Sequence, residues 1–179
     1  VSYCAICDGP FYKNKLVAVV GGGNSALEEG LYLTKFASKV IIIHRRADFR
    51  ASNVIEKEAR NNPKISFLLD TVVEEVLGDD KVKSLIIKNV KTSEIKEINV
   101  DGIFIFIGSE PNTKFISNIV ETDSQGYIIT DELLQTNIKG VYAAGDIRNT
   151  PLRQVATAVR DGALAATQAE KYIKDLNNI

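Results

Sequence analysis

Apolar positions come in blocks that set most of the elements of this chain. Residues Leu16–Val20 form a short Val-rich run without a polar break, the pattern of a strand covered on both faces. The run ends in Gly21-Gly22-Gly23, after which Ala26, Leu27, Gly30, Leu31 and Thr34 recur at helical spacing. A second apolar run over 40–43 follows. Strand, glycine turn, helix and strand predict one βαβ unit.

Further along, the spacing predicts a short helix over 53–60, closed by Asn61-Asn62-Pro63. Residues 65–69 and 71–77 read as strands, with a turn at Gly78-Asp79-Asp80. Residues 81–90 and 94–100 read as a hairpin around Thr92-Ser93, in which Ile98 and Val100 alternate with Glu97 and Asn99. This predicts an antiparallel meander beside the parallel sheet. The run 102–107 is apolar without alternation and is assigned to a central strand. After the break at Gly108 to Asn112, a turn and short strand are expected over 125–130, a second strand over 141–144, and an alanine-rich helix from 151 to about 173. The fold class is therefore α/β, with a Rossmann-like nucleotide domain over 1–110 and a second portion over 111–179.

Totals narrow the function. A chain of 179 residues allows one domain, or one and a piece of another. A net charge of −1 gives no electrostatic case for nucleic acid or an anionic membrane as partner. No apolar run approaches bilayer-spanning length, and no secretory signal opens the chain, so a cytoplasmic location is expected. His44 is the only histidine, which rules out a His-based triad or a His-cluster metal site, and no metal is predicted. There is no methionine, and Val1 enters a cysteine motif at once, so the chain is expected to be the C-terminal part of a longer one.

The glycine turn has a definite chemistry. Gly21, Gly23 and Ala26 fit the G-x-G-x-x-A pattern: the first position permits the turn, the second lets backbone approach a pyrophosphate, and the third lets helix and strand pack closely. With Gly22, Asn24 and Ser25 between them, these residues put open backbone N–H groups and a positive helix end where phosphates would lie. The second strand selects the dinucleotide. Where an NAD site has a carboxylate for the ribose hydroxyls, this chain has His44, Arg45 and Arg46, with Arg50 four residues further on. Guanidinium groups suit a 2′-phosphate, which points to NADPH; the plain alternative is a solvated basic loop.

Both cysteines lie in Cys4-Ala5-Ile6-Cys7. Two thiols without neighbouring ligands do not make a structural zinc site, and in a reducing compartment the spacing points to a redox pair. Asp8 follows directly, either as a proton carrier for the thiols or as a turn residue before Gly9-Pro10.

CAICDG, GGGNSALEE and HRRADFR, in this order and spacing, resemble the low-molecular-weight, bacterial-type thioredoxin reductases over essentially the whole chain. The resemblance implies an NADPH-dependent FAD enzyme, a homodimer, that passes electrons through the CxxC to thioredoxin. It implies that Cys7 lies against the flavin, that Cys4 attacks the thioredoxin disulfide, and that Asp8 protonates the leaving thiolate. FIGSEPN, containing Gly108, matches the family's return to the FAD domain; GVYAAGDI makes Asp146 the ribityl partner; and Arg153-Gln154, with Val155 after them, fall at the flavin. The family's first FAD fingerprint has no counterpart here, since the single glycine fingerprint is assigned to NADPH. This chain alone is thus expected to hold NADPH-binding groups, to bind FAD weakly or not at all, and to be inactive. Two rivals are the NADH-preferring flavoprotein partner of a peroxiredoxin and a non-catalytic NADPH-binding, redox-sensing module.

Overall fold

In the computed structural model, which describes residues 1–177, the apolar runs of Val1–Gly108 line up as a four-stranded parallel sheet. Its strands are β1 (Leu16–Val20), β2 (Lys39–Ile43), β3 (Ile65–Leu68) and β7 (Gly102–Ile105), in the order β3-β2-β1-β7. A second, antiparallel sheet runs β4 (Thr71–Gly78), β5 (Val82–Asn89), β6 (Ile95–Asn99). Helices α1 (Ala5–Asp8), α2 (Asn24–Leu33) and α3 (Asn53–Asn61) complete this unit.

The uninterrupted apolar character of β1 has a direct cause. Val17 and Val19 pack with Ala26, Leu27 and Leu33 of α2 and with Phe104, whereas Ala18 points the other way, into a second cluster with Ile43, Leu85, Ile87, Val100 and Ile103. Helices cover one face of the parallel sheet and the meander covers the other, so neither set of alternate residues meets water. The meander thus has an apolar face to bury, which its half-alternating sequence announces.

The part from Ser109 onward is a separate compact unit. Its core is small: Val120, Ile128 and Ala143, with Ile116, Ile138, Val141 and Ile147 around them. The strands expected over 125–130 and 141–144 do not form ladders. Ile128 makes single bridges to Thr122 and Arg148, and Tyr142 makes one to Gln135. An apolar run becomes a strand only where a neighbouring strand takes up its backbone groups, and here each run finds one residue of partner. The last helix, α4, spans Val155–Asn177 rather than starting at 151. Residues 151–154 lead into it, with the Gln154 N–H donating to Thr157 Oγ1 at 3.1 Å. No helix among the described residues is long and apolar enough to cross a membrane, and they include no cluster of three metal-ligating side chains.

Candidate functional site

A cavity of about 510 Å³ opens where the C-terminal ends of β1, β2 and β7 meet β4. Ligands of α/β sheets bind at such strand ends, at the point where strand order reverses; here β2 and β7 leave β1 on opposite sides. Gly21 and Gly22 form part of the wall. Gly21 has φ +153°, and a Cβ there would overlap the Phe106 carbonyl oxygen and lie 2.7 Å from Ala26 Cβ. Ala26 therefore holds the close approach that its place in the motif requires. A Cβ on Gly23 would meet nothing within 4 Å, so the space over the start of α2 is open. Gly23 is the N-cap and supplies no side-chain hydrogen bond, which leaves the first N–H groups of α2 available to phosphate oxygens. Asn24 and Ser25 stand exposed at this helix start.

The loop carrying the arginines is strapped to the glycine turn. The Arg50 N–H donates to Gly22 O at 2.7 Å, and the Ser52 N–H donates to Asn24 Oδ1 at 2.8 Å. Arg45, Arg46 and Arg50 are exposed, and none is in an ion pair among the described residues. Two of them, Arg45 and Arg50, line the cavity. Glu74 in the opposite wall is neutralised by Lys88 at 3.1 Å. His44 lines the same cavity but is buried: its ring stacks on Phe49, its Nε2 lies 3.2 Å from Asp48 O, and a Cβ on Gly22 would overlap it. Burial lowers its pKa, and the charges of Arg45, Arg46 and Arg50 act in the same direction. The imidazole is thus a neutral buttress under the glycine turn, while charge is left to the arginines. Open helix N–H groups, a missing Cβ and three unengaged guanidinium groups fit a dinucleotide with a 2′-phosphate.

Cys4 and Cys7 form a disulfide, with Cα atoms 5.3 Å apart. A single helical turn, α1, carries the pair, a feature the local sequence pattern does not reveal. Cys4 is its N-cap, and Cys4 Sγ accepts the Cys7 N–H at 3.1 Å. Ser2, also unforeseen, ties the turn to the sheet: it bridges Phe104, while its Oγ accepts the Cys4 N–H at 3.1 Å. Cys7 is exposed and Cys4 half-buried, so in this chain Cys7 is the more accessible, whereas the resemblance gives the outward attack to Cys4. Asp8 is half-buried at the end of α1, its N–H bonded to Cys4 O; burial raises the pKa of Tyr12, and the charge of Asp8 adds to the rise.

In the second unit, Gly145–Ile147 makes a 3-10 turn that leaves Asp146 exposed. Asp161 of α4 fixes this turn: its Oδ2 accepts the Gly145 N–H at 3.2 Å and Arg148 Nε at 2.6 Å. Neither Asp161 nor Arg148 was singled out from sequence, although a charge on the alanine-rich helix face was the available signal. Arg153 lies 4.0 Å over the Tyr127 ring, and Gln154 and Val155 follow it at the start of α4. Gly108, at φ +103°, ends the first unit just after β7.

Comparison with known proteins gives a consistent set of relatives. The family model for pyridine nucleotide-disulphide oxidoreductases matches residues 1–162. The chain is 50% identical over 182 residues to a thioredoxin reductase of Peptoclostridium litorale, covering 98% of this chain and 58% of that one. It is 45% identical to a thioredoxin reductase of Bacillus subtilis, covering 98% and 56%. The crystal structure of thioredoxin reductase from Streptococcus pyogenes superposes with a TM-score of 0.92 at 44% identity, covering 97% of this chain and 57% of that one. The chain spans a little over half the length of these relatives.

Proposed function

The chain belongs to the pyridine nucleotide-disulphide oxidoreductase family, and from that premise we propose that it is the NADPH-binding, disulfide-bearing part of a thioredoxin-disulfide reductase. One observation carries the reading: a single compact unit holds both a Cys4–Cys7 disulfide on a one-turn helix and a crevice with exposed arginines at its glycine turn. Similarity to proteins called thioredoxin reductase supports the choice of substrate.

In this reading Gly21, Gly22, Gly23, Asn24, Ser25 and Ala26 hold the NADPH pyrophosphate, and Arg45, Arg46 and Arg50 hold the 2′-phosphate. Asp146, Arg153, Gln154 and Val155 are the residues of this chain that would contact FAD. Bound flavin supplies the hydride acceptor between the nicotinamide and the disulfide. Reduced Cys4 and Cys7 then exchange with a thioredoxin disulfide: a thiolate attacks, a mixed disulfide forms, the second thiol displaces it, and thioredoxin leaves as a dithiol while Cys4–Cys7 closes again. Asp8, beside the pair, would supply the proton taken by a leaving thiolate. The N–H of Cys7 on Cys4 Sγ would favour a thiolate at Cys4. The working form would be a homodimer in the reducing cytosol. A peroxiredoxin-linked reductase with NADH preference is disfavoured by three unengaged arginines at the ribose position.

The test is kinetic. In the protein carrying both domains, Cys4→Ser and Cys7→Ser should each abolish thioredoxin reduction and leave flavin reduction by NADPH intact. Joint Arg45→Ala and Arg46→Ala should raise KM for NADPH by about tenfold or more, the worth of one charge-assisted phosphate contact, with KM for NADH nearly unchanged. Equal effects on the two nucleotides would overturn the NADPH assignment.

A further inference from the structure

We propose that Phe49 is a positioning residue for the crevice at the strand ends: it anchors the arginine loop from inside and so sets how strongly the site prefers a ribose 2′-phosphate. The inference rests on the crevice being an NADPH site and deepens that reading.

Between β2 and α3 the chain forms no helix or strand. Of residues 45–50, Arg45, Arg46, Ala47, Asp48 and Arg50 are exposed, and Phe49 alone turns inward. Its ring meets a group from each neighbouring element. The His44 ring, directly after β2, stacks on it with centroids 5.3 Å apart and planes at 21°. Phe67 of β3 meets it edge-on at 5.6 Å. From α3, the Arg60 guanidinium lies 5.5 Å from its centre and 5.2 Å from that of Phe67. Stacked and edge-on ring pairs, and a cation over a ring face, are favourable beyond the area they bury.

Arg60 differs from the arginines of the loop. Glu56, one turn back on α3, accepts its Nε at 2.8 Å and its Nη2 at 2.7 Å, so the guanidinium is fixed over the rings. Arg45, Arg46 and Arg50 have no such partner among the described residues and remain available to a ligand. One arginine of this region thus holds the anchor, and the other three ride on it.

The backbone on either side of Phe49 shows what the anchor holds. The Asp48 carbonyl lies 3.2 Å from His44 Nε2, and the Arg50 N–H donates to Gly22 O at 2.7 Å. Without the ring, residues 45–50 would be held by hydrogen bonds alone, and in an exposed loop water competes for these. The three guanidinium groups would then be ordered only as phosphate arrives, and that ordering is subtracted from affinity. The glycine turn has separate support: the Gly21 N–H donates to Ile43 O at 3.1 Å, and the Leu27 N–H donates to Gly23 O at 3.3 Å. The loss therefore falls on the 2′-phosphate and spares the pyrophosphate.

The experiment is a calorimetric titration of the whole chain with NADPH and with NADH, which differ only by the 2′-phosphate. The quantity read is the ratio of the two dissociation constants. The parent should prefer NADPH by more than tenfold. Phe49→Ala should lower that preference by about tenfold, through the renewed freedom of two or three arginine side chains, with NADH affinity little changed. A fall of more than threefold supports the proposal. A fall of threefold or less overturns it, including the case in which both nucleotides weaken together, as they would if Phe49 served only the stability of the unit. Should Phe49→Ala not fold, Phe49→Leu decides by the same threshold, since leucine fills the space with apolar atoms but offers no ring face to His44 or Arg60. A parent preference of tenfold or less overturns the NADPH reading and this proposal with it. A strong parent preference that survives the substitution overturns this proposal alone.

Discussion

Asp161 gathers more donors than any other carboxylate in the second unit. Besides Arg148 Nε and the Gly145 N–H, its Oδ1 accepts Arg148 Nη2 at 3.3 Å and Arg160 Nη1 at 3.0 Å. These donors, Arg148 foremost, overcome the opposing effect of burial and hold its pKa down from 3.8 to about 2. A folded-state value below the unfolded one means that the unfolded chain binds the proton more readily. The stabilisation is therefore whole above 3.8 and is lost as pH falls towards 2. Asp161→Ala leaves Arg148 half-buried without its partner and should cost the second unit about 3 kcal/mol, read by urea unfolding under circular dichroism. Asp161→Asn should remove the acid dependence in that window. His44 gives a different window by related logic. Its pKa is lowered, so its contribution is whole above the ordinary value of 6.5 and falls away below it. His44→Gln should flatten the pH dependence of first-unit stability between neutrality and pH 5, a result checked by thermal melts across that range.

At the scale of elements, α2 organises the first unit. Its start opens towards the crevice, its buried face of Ala26, Leu27, Gly30 and Leu33 lies on the sheet, and its flank receives the disulfide turn. Asn24 links this helix to the arginine loop through the Ser52 N–H. Asn24→Ala should therefore weaken binding of 2′,5′-ADP to this chain by about fivefold, one hydrogen bond's worth, with a smaller loss for 5′-ADP. A calorimetric titration showing equal losses would mean that Asn24 acts only on what the two ligands share, the adenosine and its 5′-phosphate, and not through the arginine loop. Much of this was legible in the sequence, because β1, β2, β7 and the glycine turn announce themselves by local pattern: unbroken apolar runs and a spacing that spans six residues. The supports were not legible. Ser2 acts on a strand a hundred residues away, and Asp161 meets Arg148 across a fold its neighbours do not reveal. The missing strands over 125–130 and 141–144 fail for the same reason, since an apolar run does not say whether a partner will lie beside it.

At the scale of the whole chain, the two units are unequal in what they bury. The first closes two apolar clusters over both faces of its parallel sheet, whereas the second has a small core and leaves Val155, Val159, Ile173 and Leu176 of α4 exposed. The crevice proposed for the nucleotide lies wholly in the first. A ligand that binds only the folded form stabilises what it touches by RT ln(1 + [L]/Kd), about 2.7 kcal/mol at a hundred times Kd. NADPH at that excess should accordingly slow amide exchange in β1, α2 and β2 by up to about a hundredfold and leave α4 unchanged. FAD should act otherwise. The one glycine turn between strand and helix among the described residues belongs to the first unit, and the second offers only Asp146 and the residues leading into α4. This chain mixed with FAD and desalted should thus emerge colourless while still binding NADPH. One flavin retained per chain would show that the second unit builds an adenosine-diphosphate site without a glycine fingerprint, and would move the flavin contacts beyond the residues assigned to them.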